Sequence, residues 1–143
     1  MERIVKMGGR LVKLRATAAL PRRFRAAFGR DFFSALENVN KANKSVERKA
    51  KKTPPDDKEA LADLESAKVR LSGKTMELFE NLAFIMARSA DPENVPPDIA
   101  DWLDSIDDPN AILKISGDVI ELYRANNKTT AIPKKKKKRR NGK

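Results

Sequence analysis

The sequence predicts a mainly α-helical protein, in which a small helical domain is preceded by an N-terminal β-hairpin and followed by a disordered basic C-terminal tail. Three observations lead to this prediction. Most apolar residues recur at intervals of three or four, as on one face of a helix. The first apolar run instead alternates with charged residues on the C-terminal side of Gly8-Gly9. The last ten residues contain eight Lys or Arg and no acidic residue.

The hairpin is expected within residues 1–19. After the two glycines, Val12, Leu14 and Ala16 alternate with charged or polar residues, so one face of the second strand is apolar. Two consecutive glycines suit the positive φ angles of a two-residue turn. Gly8-Gly9 is therefore the predicted turn.

Two helices are predicted in a basic segment, residues 20–50. Pro21 fits a first helical turn, Gly29 suits the end of the first helix, and Asp31 is placed to cap the second. The apolar residues follow helical spacing, and those expected to be in the core are Phe24, Phe28, Phe32 and Leu36.

Pro54-Pro55 interrupts the helical pattern. Residues 51–74 are expected to form a flexible or weakly helical connection, because their only apolar period is the sparse set Leu61, Leu64 and Leu71. Residues 128–143 are expected to be a disordered basic tail.

The main helical core is expected within residues 75–127. Thr75 to Arg88 is the most apolar stretch and should form the central helix. A short helix around Trp102 and a last helix follow, the latter capped by Asp108 and stopped by Asn126-Asn127. The core candidates are Leu78, Phe79, Leu82, Ile85, Met86, Trp102, Leu103, Val119, Ile120 and Tyr123.

Charge is sorted along the chain. Residues 1–52 hold 15 Lys or Arg and 4 acidic residues, whereas residues 53–133 hold 8 and 16. Opposite blocks of this size let copies of the chain attract one another, or let a basic block meet an acidic protein or nucleic acid. Charged residues also interrupt the first twenty positions, so neither a signal peptide nor a membrane helix is expected there.

Composition argues against an enzyme. The chain has no histidine and no cysteine, which removes the commonest general base, the best thiol nucleophile and thiolate metal ligands. The chain also has a cluster of acidic residues that could suggest a cation site. They alternate with apolar residues, as on the solvent face of a short helix, which argues against such a site; they are Asp98, Asp101, Asp104, Asp107 and Asp108. Gly73-Lys74-Thr75 lacks the first glycine and spacer of a phosphate loop. No cofactor or metal is therefore expected.

The remaining candidate site is a basic face. Its predicted protein-interaction residues are Arg22, Arg23, Arg25, Arg30, Lys41, Lys44 and Arg48. Such a face would also attract phosphates, so a nucleic-acid-binding accessory protein is the alternative function. The aromatic residues nearby follow helical core spacing instead of lying among the arginines, which argues against base stacking, so a solvated helix surface is the simplest interpretation of this face.

Four stretches together resemble the tail assembly chaperones of long-tailed (siphovirus-type) phages and prophages. They are KLRATAALPRRFRAAFGRDFF at 13–33, ELFENLAFIMAR at 77–88, Trp102-Leu103, and NKTTAIPKK at 127–135. The resemblance covers residues 10–40 and 75–136 in the same order.

The resemblance implies a non-catalytic function in the cytoplasm of an infected bacterium. A chaperone of this family binds the tape measure protein, helps to recruit tail tube protein, and is absent from the mature virion. Coating a long client suggests a homo-oligomer. The family is often made in two forms by ribosomal frameshifting. The five lysines from Lys134 are encoded by AAA or AAG, so they are either a site of such slippage or simply part of a disordered end whose charge keeps the protein in solution.

Overall fold

A computed structural model describes residues 1–131 and confirms the predicted fold class. The chain is mainly helical and begins with a two-stranded antiparallel hairpin. The elements are β1 Glu2–Met7, β2 Arg10–Arg15, α1 Leu20–Phe28, α2 Phe32–Lys52, α3 Lys58–Ala90, α4 Ile99–Asp104 and α5 Ala111–Ala131. The predicted disordered tail comprised residues 128–143. Residues 128–131 instead belong to α5, and the rest of the predicted tail lies outside the described residues.

The described chain divides into two compact units. The first combines residues 1–20 with the chain from Leu82 onward, and the second comprises residues 21–81. Helix α3 therefore contributes residues 58–81 to the second unit and residues 82–90 to the first.

The hairpin forms as the sequence predicts. Val5 pairs with Val12, and the turn residues Gly8 and Gly9 have φ angles of 58° and 84°. Glycine is favoured at both positions because a side chain makes positive φ costly. The buried face comprises Val5, Met7, Val12 and Leu14.

The core of the first unit lies between the hairpin and three helical segments. Met7, Leu14, Met86, Trp102 and Val119 are at most 1% exposed. The Phe84 and Trp102 rings are 5.6 Å apart, tilted by 49°. Strand β1 packs on α5, and the contact is reinforced where the Arg3 guanidinium donates to Asp118 (2.9 Å) and Glu121 (2.7 Å).

The second unit begins with α1 and α2. Gly29, at φ 69°, follows the last residue of α1, and the Asp31 carboxylate accepts a hydrogen bond from the Ser34 amide at the start of α2. Both boundaries agree with the sequence prediction. Phe24 packs against Phe28 and Phe32, with ring centroids 5.0 and 5.4 Å apart.

Residues 51–74 are more ordered than the sequence indicated. Helix α2 continues to Lys52 and α3 begins at Lys58, where the Asp57 carboxylate caps the Ala60 amide at 3.0 Å. The break at Pro54-Pro55 is therefore only residues 53–57, and the central helix starts well before Thr75. Leu64 is 6% exposed, so packing within the unit stabilises a helix whose local pattern is weak.

The apolar spacing of α2 and α3 explains how the two helices can pack. Phe32, Val39 and Val46 are seven residues apart on α2, and Leu64, Leu71 and Leu78 are seven apart on α3. Repeats of seven keep a continuous apolar seam on one side of each helix.

The last helix also departs from the prediction. Helix α5 begins at Ala111, after a turn in which the Asp108 carboxylate accepts from the Asn110 amide at 2.9 Å. Pro109 lies in that turn, not in the helix. The helix continues through Asn126-Asn127 to Ala131, because asparagine lowers helix propensity far less than proline does.

Most of the predicted core residues are buried. Phe24, Phe32, Leu78, Leu82, Ile85, Met86, Trp102, Val119 and Tyr123 are buried, and Phe28, Leu36, Phe79, Leu103 and Ile120 are partly buried.

Candidate protein-interaction surface

The seven candidate interaction residues are exposed on the second unit. Arg22, Arg23 and Arg25 lie on α1, Arg30 lies in the turn after it, and Lys41, Lys44 and Arg48 lie on α2. None of them forms an ion pair with any residue in the range 1–131. Their charges are therefore available to a partner.

The basic residues of α2 share one face. At 3.6 residues per turn, Lys41, Lys44, Arg48, Lys51 and Lys52 fall within about 100° of the helix circumference. We refer to these five residues as the basic stripe. They span about 16 Å along the helix axis at 1.5 Å per residue. The apolar seam of α2 occupies the opposite face.

Phe33 adds an apolar group to this face, and reasoning from the sequence missed it. Its position is eleven residues, or about three turns, before Lys44. The side chain is 50% exposed, with its ring 6.1 Å from that of Phe32. Adjacent phenylalanines cannot both face the same seam of a helix, and this is the sequence signal that would have found it.

A second feature of this unit is a partly open groove of about 360 Å³ between α2 and α3. Its apolar lining consists of Phe24, Ala35, Val39, Ala42, Leu71 and Leu78. Its polar lining consists of Arg30, Asn38, Lys74, Glu77 and Asn81. Arg30 is the only one of the seven candidates that lines it, because Lys41, Lys44 and Arg48 face away on α2.

Two of the five acidic residues near α4 serve local structure. The Asp98 carboxylate caps α4 by accepting from the Asp101 amide at 3.2 Å. The Lys114 ammonium, 2.8 Å from the Asp108 carboxylate, and the Asn110 amide hold the pKa of Asp108 below its usual value. Asp101, Asp104 and Asp107 are exposed. Within residues 1–131, no group of three or more potential ligands is arranged to hold a metal ion.

The Gly73-Lys74-Thr75 segment lies inside α3. Its backbone amides belong to a continuous helix, whereas a phosphate loop presents free amides at the start of one. The Thr75 hydroxyl donates to the Leu71 carbonyl at 2.9 Å. This segment therefore has the geometry of an ordinary helical turn.

A smaller opening of about 180 Å³ lies in the first unit, beside Trp102. Its polar lining includes Arg10, Lys13, Asp91 and Asn94. The Asn94 amide donates to both Asp91 carboxylate oxygens, at 3.0 and 3.2 Å. Part of its polar lining is thus already used within the protein.

Through Ala131, no helix combines the length and apolar character needed to cross a membrane. Comparison with known proteins adds no assignment, since no protein-family model, curated protein or solved structure matches this chain.

Proposed function

We propose that the protein is a phage tail assembly chaperone that binds a tape measure protein and promotes tail tube assembly without catalysis. The observation that carries the proposal is the basic stripe, a row of exposed cations on one face of a helix, with the half-exposed Phe33 on the same side. A surface of this kind fits the acidic face of a long helical client. The sequence resemblance supplies the identity of that client.

The alternative, nucleic-acid binding, would use the same stripe in a different way. Proteins that bind single strands combine cations with several aromatic side chains, on which successive bases stack. Among residues 1–131, Phe33 is the only aromatic residue in the set of exposed large apolar side chains. One ring cannot stack a series of bases, so a protein client is favoured.

The proposal extends to the setting in which the protein acts. It places the protein in the cytoplasm of the bacterial host, bound in several copies along the client and absent from the mature virion. The opposite charge blocks support contact between neighbouring copies. A longer frameshifted form, read through the lysine codons from Lys134, belongs to the same proposal.

The proposal is tested by co-expression with a tape measure protein encoded in the same genome. The wild-type chain should increase the soluble yield of the client and co-purify with it. The variant Lys41→Glu/Lys44→Glu/Arg48→Glu should lose both effects, because it places three acids opposite an acidic surface. The conservative variant Lys41→Arg/Lys44→Arg/Arg48→Lys should keep them.

A charge-matched control separates the stripe from net charge. Lys58→Glu/Lys68→Glu/Arg70→Glu changes the net charge equally, at exposed positions of α3, and should leave client binding intact. Equal loss in both triple variants would contradict a specific role for the stripe. If nuclease treatment abolishes co-purification and the chain retains DNA with a steep salt dependence, the nucleic-acid function replaces the proposed one.

A further inference from the structure

The groove between α2 and α3 is too large to be a packing defect. Its volume of about 360 Å³ is in the range of about 300–1,000 Å³ found for ligand sites. It is also more than twice the roughly 150 Å³ of an engineered cavity that accepts a benzene molecule. The groove therefore has room for about two large apolar side chains.

The walls of the groove explain both its shape and its position. Ala35, Val39 and Ala42 lie at intervals of four and three residues on α2, along a single line of the helix surface. Two of these three residues are alanine, so α2 presents little side-chain volume to Leu71 and Leu78 on α3. The gap thus runs parallel to the helices, which is the shape that receives a ridge of side chains from another helix.

The rim of the groove sets the charge of the occupant. Arg30, from the turn after α1, and Lys74, from α3, both line it. Within the described part of the chain neither has an ion-pair partner, and Glu77 is the one carboxylate in the lining. An acidic partner gains from both cations, whereas the chain's own basic run at 134–140 has the wrong sign.

We infer that this groove binds an amphipathic helix of a partner protein, which inserts two apolar side chains about one turn apart and places carboxylates against Arg30 and Lys74. The inference rests on the proposed function, in which the client provides such a helix. It deepens that function by naming the groove as the place where apolar side chains of the client bind. The basic stripe lies on the other side of α2. The stripe would steer an acidic client, and the groove would select its sequence.

A synthetic probe tests the groove without the client. The probe is a fluorescein-labelled peptide of three repeats of Glu-Leu-Ala-Glu-Leu-Glu-Ala, in which the leucines form one ridge of a helix. Its anisotropy should rise saturably on addition of the full chain. A peptide with serine in place of leucine, and one with lysine in place of glutamate, should bind at least tenfold more weakly. Absence of saturable binding by the leucine peptide would overturn the inference.

Two variants of the protein locate the binding. Ala42→Leu fills the groove from α2 and should lower the affinity for the leucine peptide at least tenfold. Its melting temperature should equal or exceed that of the wild type. Its matched control is Ala62→Leu, at an exposed position of α3 outside the groove, which should bind as the wild type does. An affinity of Ala42→Leu within twofold of the wild type would refute the groove as the site.

The charge component is tested on the rim. Arg30→Glu/Lys74→Glu should lower the affinity for the glutamate peptide and raise the affinity for the lysine peptide. Lys58→Glu/Arg70→Glu has the same net charge, at exposed positions of α3 outside both the groove and the basic stripe, and should change neither affinity by more than twofold. Equal effects of the two pairs would show that net charge, and not the rim, controls binding.

The groove and the stripe can fail separately. If the stripe triple variant loses the tape measure protein while Ala42→Leu keeps both the client and the peptide, the groove inference fails and the proposed function stands. If Ala42→Leu loses the peptide while the wild type shows no binding to the tape measure protein, the groove stands and the proposed client fails.

Discussion

Removal of the Phe84 side chain offers a quantitative test of the core of the first unit. Phe84 is 5% exposed, and its ring lies 5.6 Å from that of Trp102. Truncation of a buried phenylalanine to alanine costs about 3–5 kcal/mol, which includes about 0.5–1.5 kcal/mol from an aromatic pair. Because a small part of the ring contacts solvent, we expect Phe84→Ala to cost about 3–4 kcal/mol.

Urea denaturation converts this cost into a measurable shift. With a slope of about 2 kcal/mol per molar urea, the midpoint should fall by about 1.5–2 M. Trp102 is the only tryptophan of the chain, so its fluorescence reports on the site of the substitution. Circular dichroism at the helical minimum gives the accompanying loss of helix.

Phe33→Ala is the matched control. It removes the same atoms from a side chain that is 50% exposed, and should cost at most about 1 kcal/mol, or about 0.5 M urea. Equal midpoints for the two variants would refute the placement of Phe84 in the core. The apolar end of α3 would then be a binding surface instead.

Three further predictions test the turn, one carboxyl group and self-association. Gly9→Ala should lower the free energy of unfolding by about 1–2 kcal/mol because of its positive φ alone. Gly8→Ala should lower it more, because its Cβ would lie 3.1 Å from the Asp107 amide nitrogen, whereas nothing lies within 4 Å of a Cβ at Gly9. Equal melting temperatures for the two variants would contradict this packing. Burial, and to a smaller extent the Glu77 carboxylate, raise the pKa of Glu80 in the folded protein. At neutral pH the ionised Glu80 carboxylate therefore lowers the free energy of unfolding. This loss of stability disappears as pH falls below the pKa of about 4.3 that a glutamate has in the unfolded chain. Glu80→Gln should therefore raise the melting temperature at pH 7 and have no advantage near pH 4, and a gain that is unchanged by pH would show that ionisation is not the cause. Finally, light scattering at low salt should detect species larger than a monomer. These species should dissociate as salt is added, because the Debye length shortens from about 30 Å at 0.01 M to about 3 Å at 1 M salt. A monomer at every salt concentration would contradict charge-driven association.

Element boundaries set by short-range chemistry were predictable from the sequence. The Gly8-Gly9 turn, the end of α1 at Gly29 and the cap at Asp31 each depend on residues within a few positions of one another. A positive φ or a side chain that accepts from an amide three residues later needs no distant partner. The cap of α4 by Asp98 depends on the same local chemistry, but it was not among the sequence predictions.

The first half of α3 was not predictable in the same way. Residues 58–74 carry many charges, and Leu61, Leu64 and Leu71 alone give a weak helical period. For an isolated segment of this kind, the conformational entropy lost on forming a helix outweighs the stabilisation from its own hydrogen bonds and side-chain contacts. Burial of Leu64 within the second unit supplies the missing stabilisation.

For the candidate site, the sequence by itself determined which side chains carry charge and, once a helix is assumed, that Lys41, Lys44 and Arg48 share a face. Only the tertiary structure decided that Arg30 lines a groove while those three residues face away from it, and that Lys74 joins Arg30 at its rim. The periodicity of a single helix is a local property, because each residue turns the chain by about 100°. A groove between α2 and α3 requires residues about forty positions apart, and its volume depends on how Ala35 and Ala42 meet Leu71 and Leu78. That distance and that volume are set by packing between helices, which no local pattern encodes.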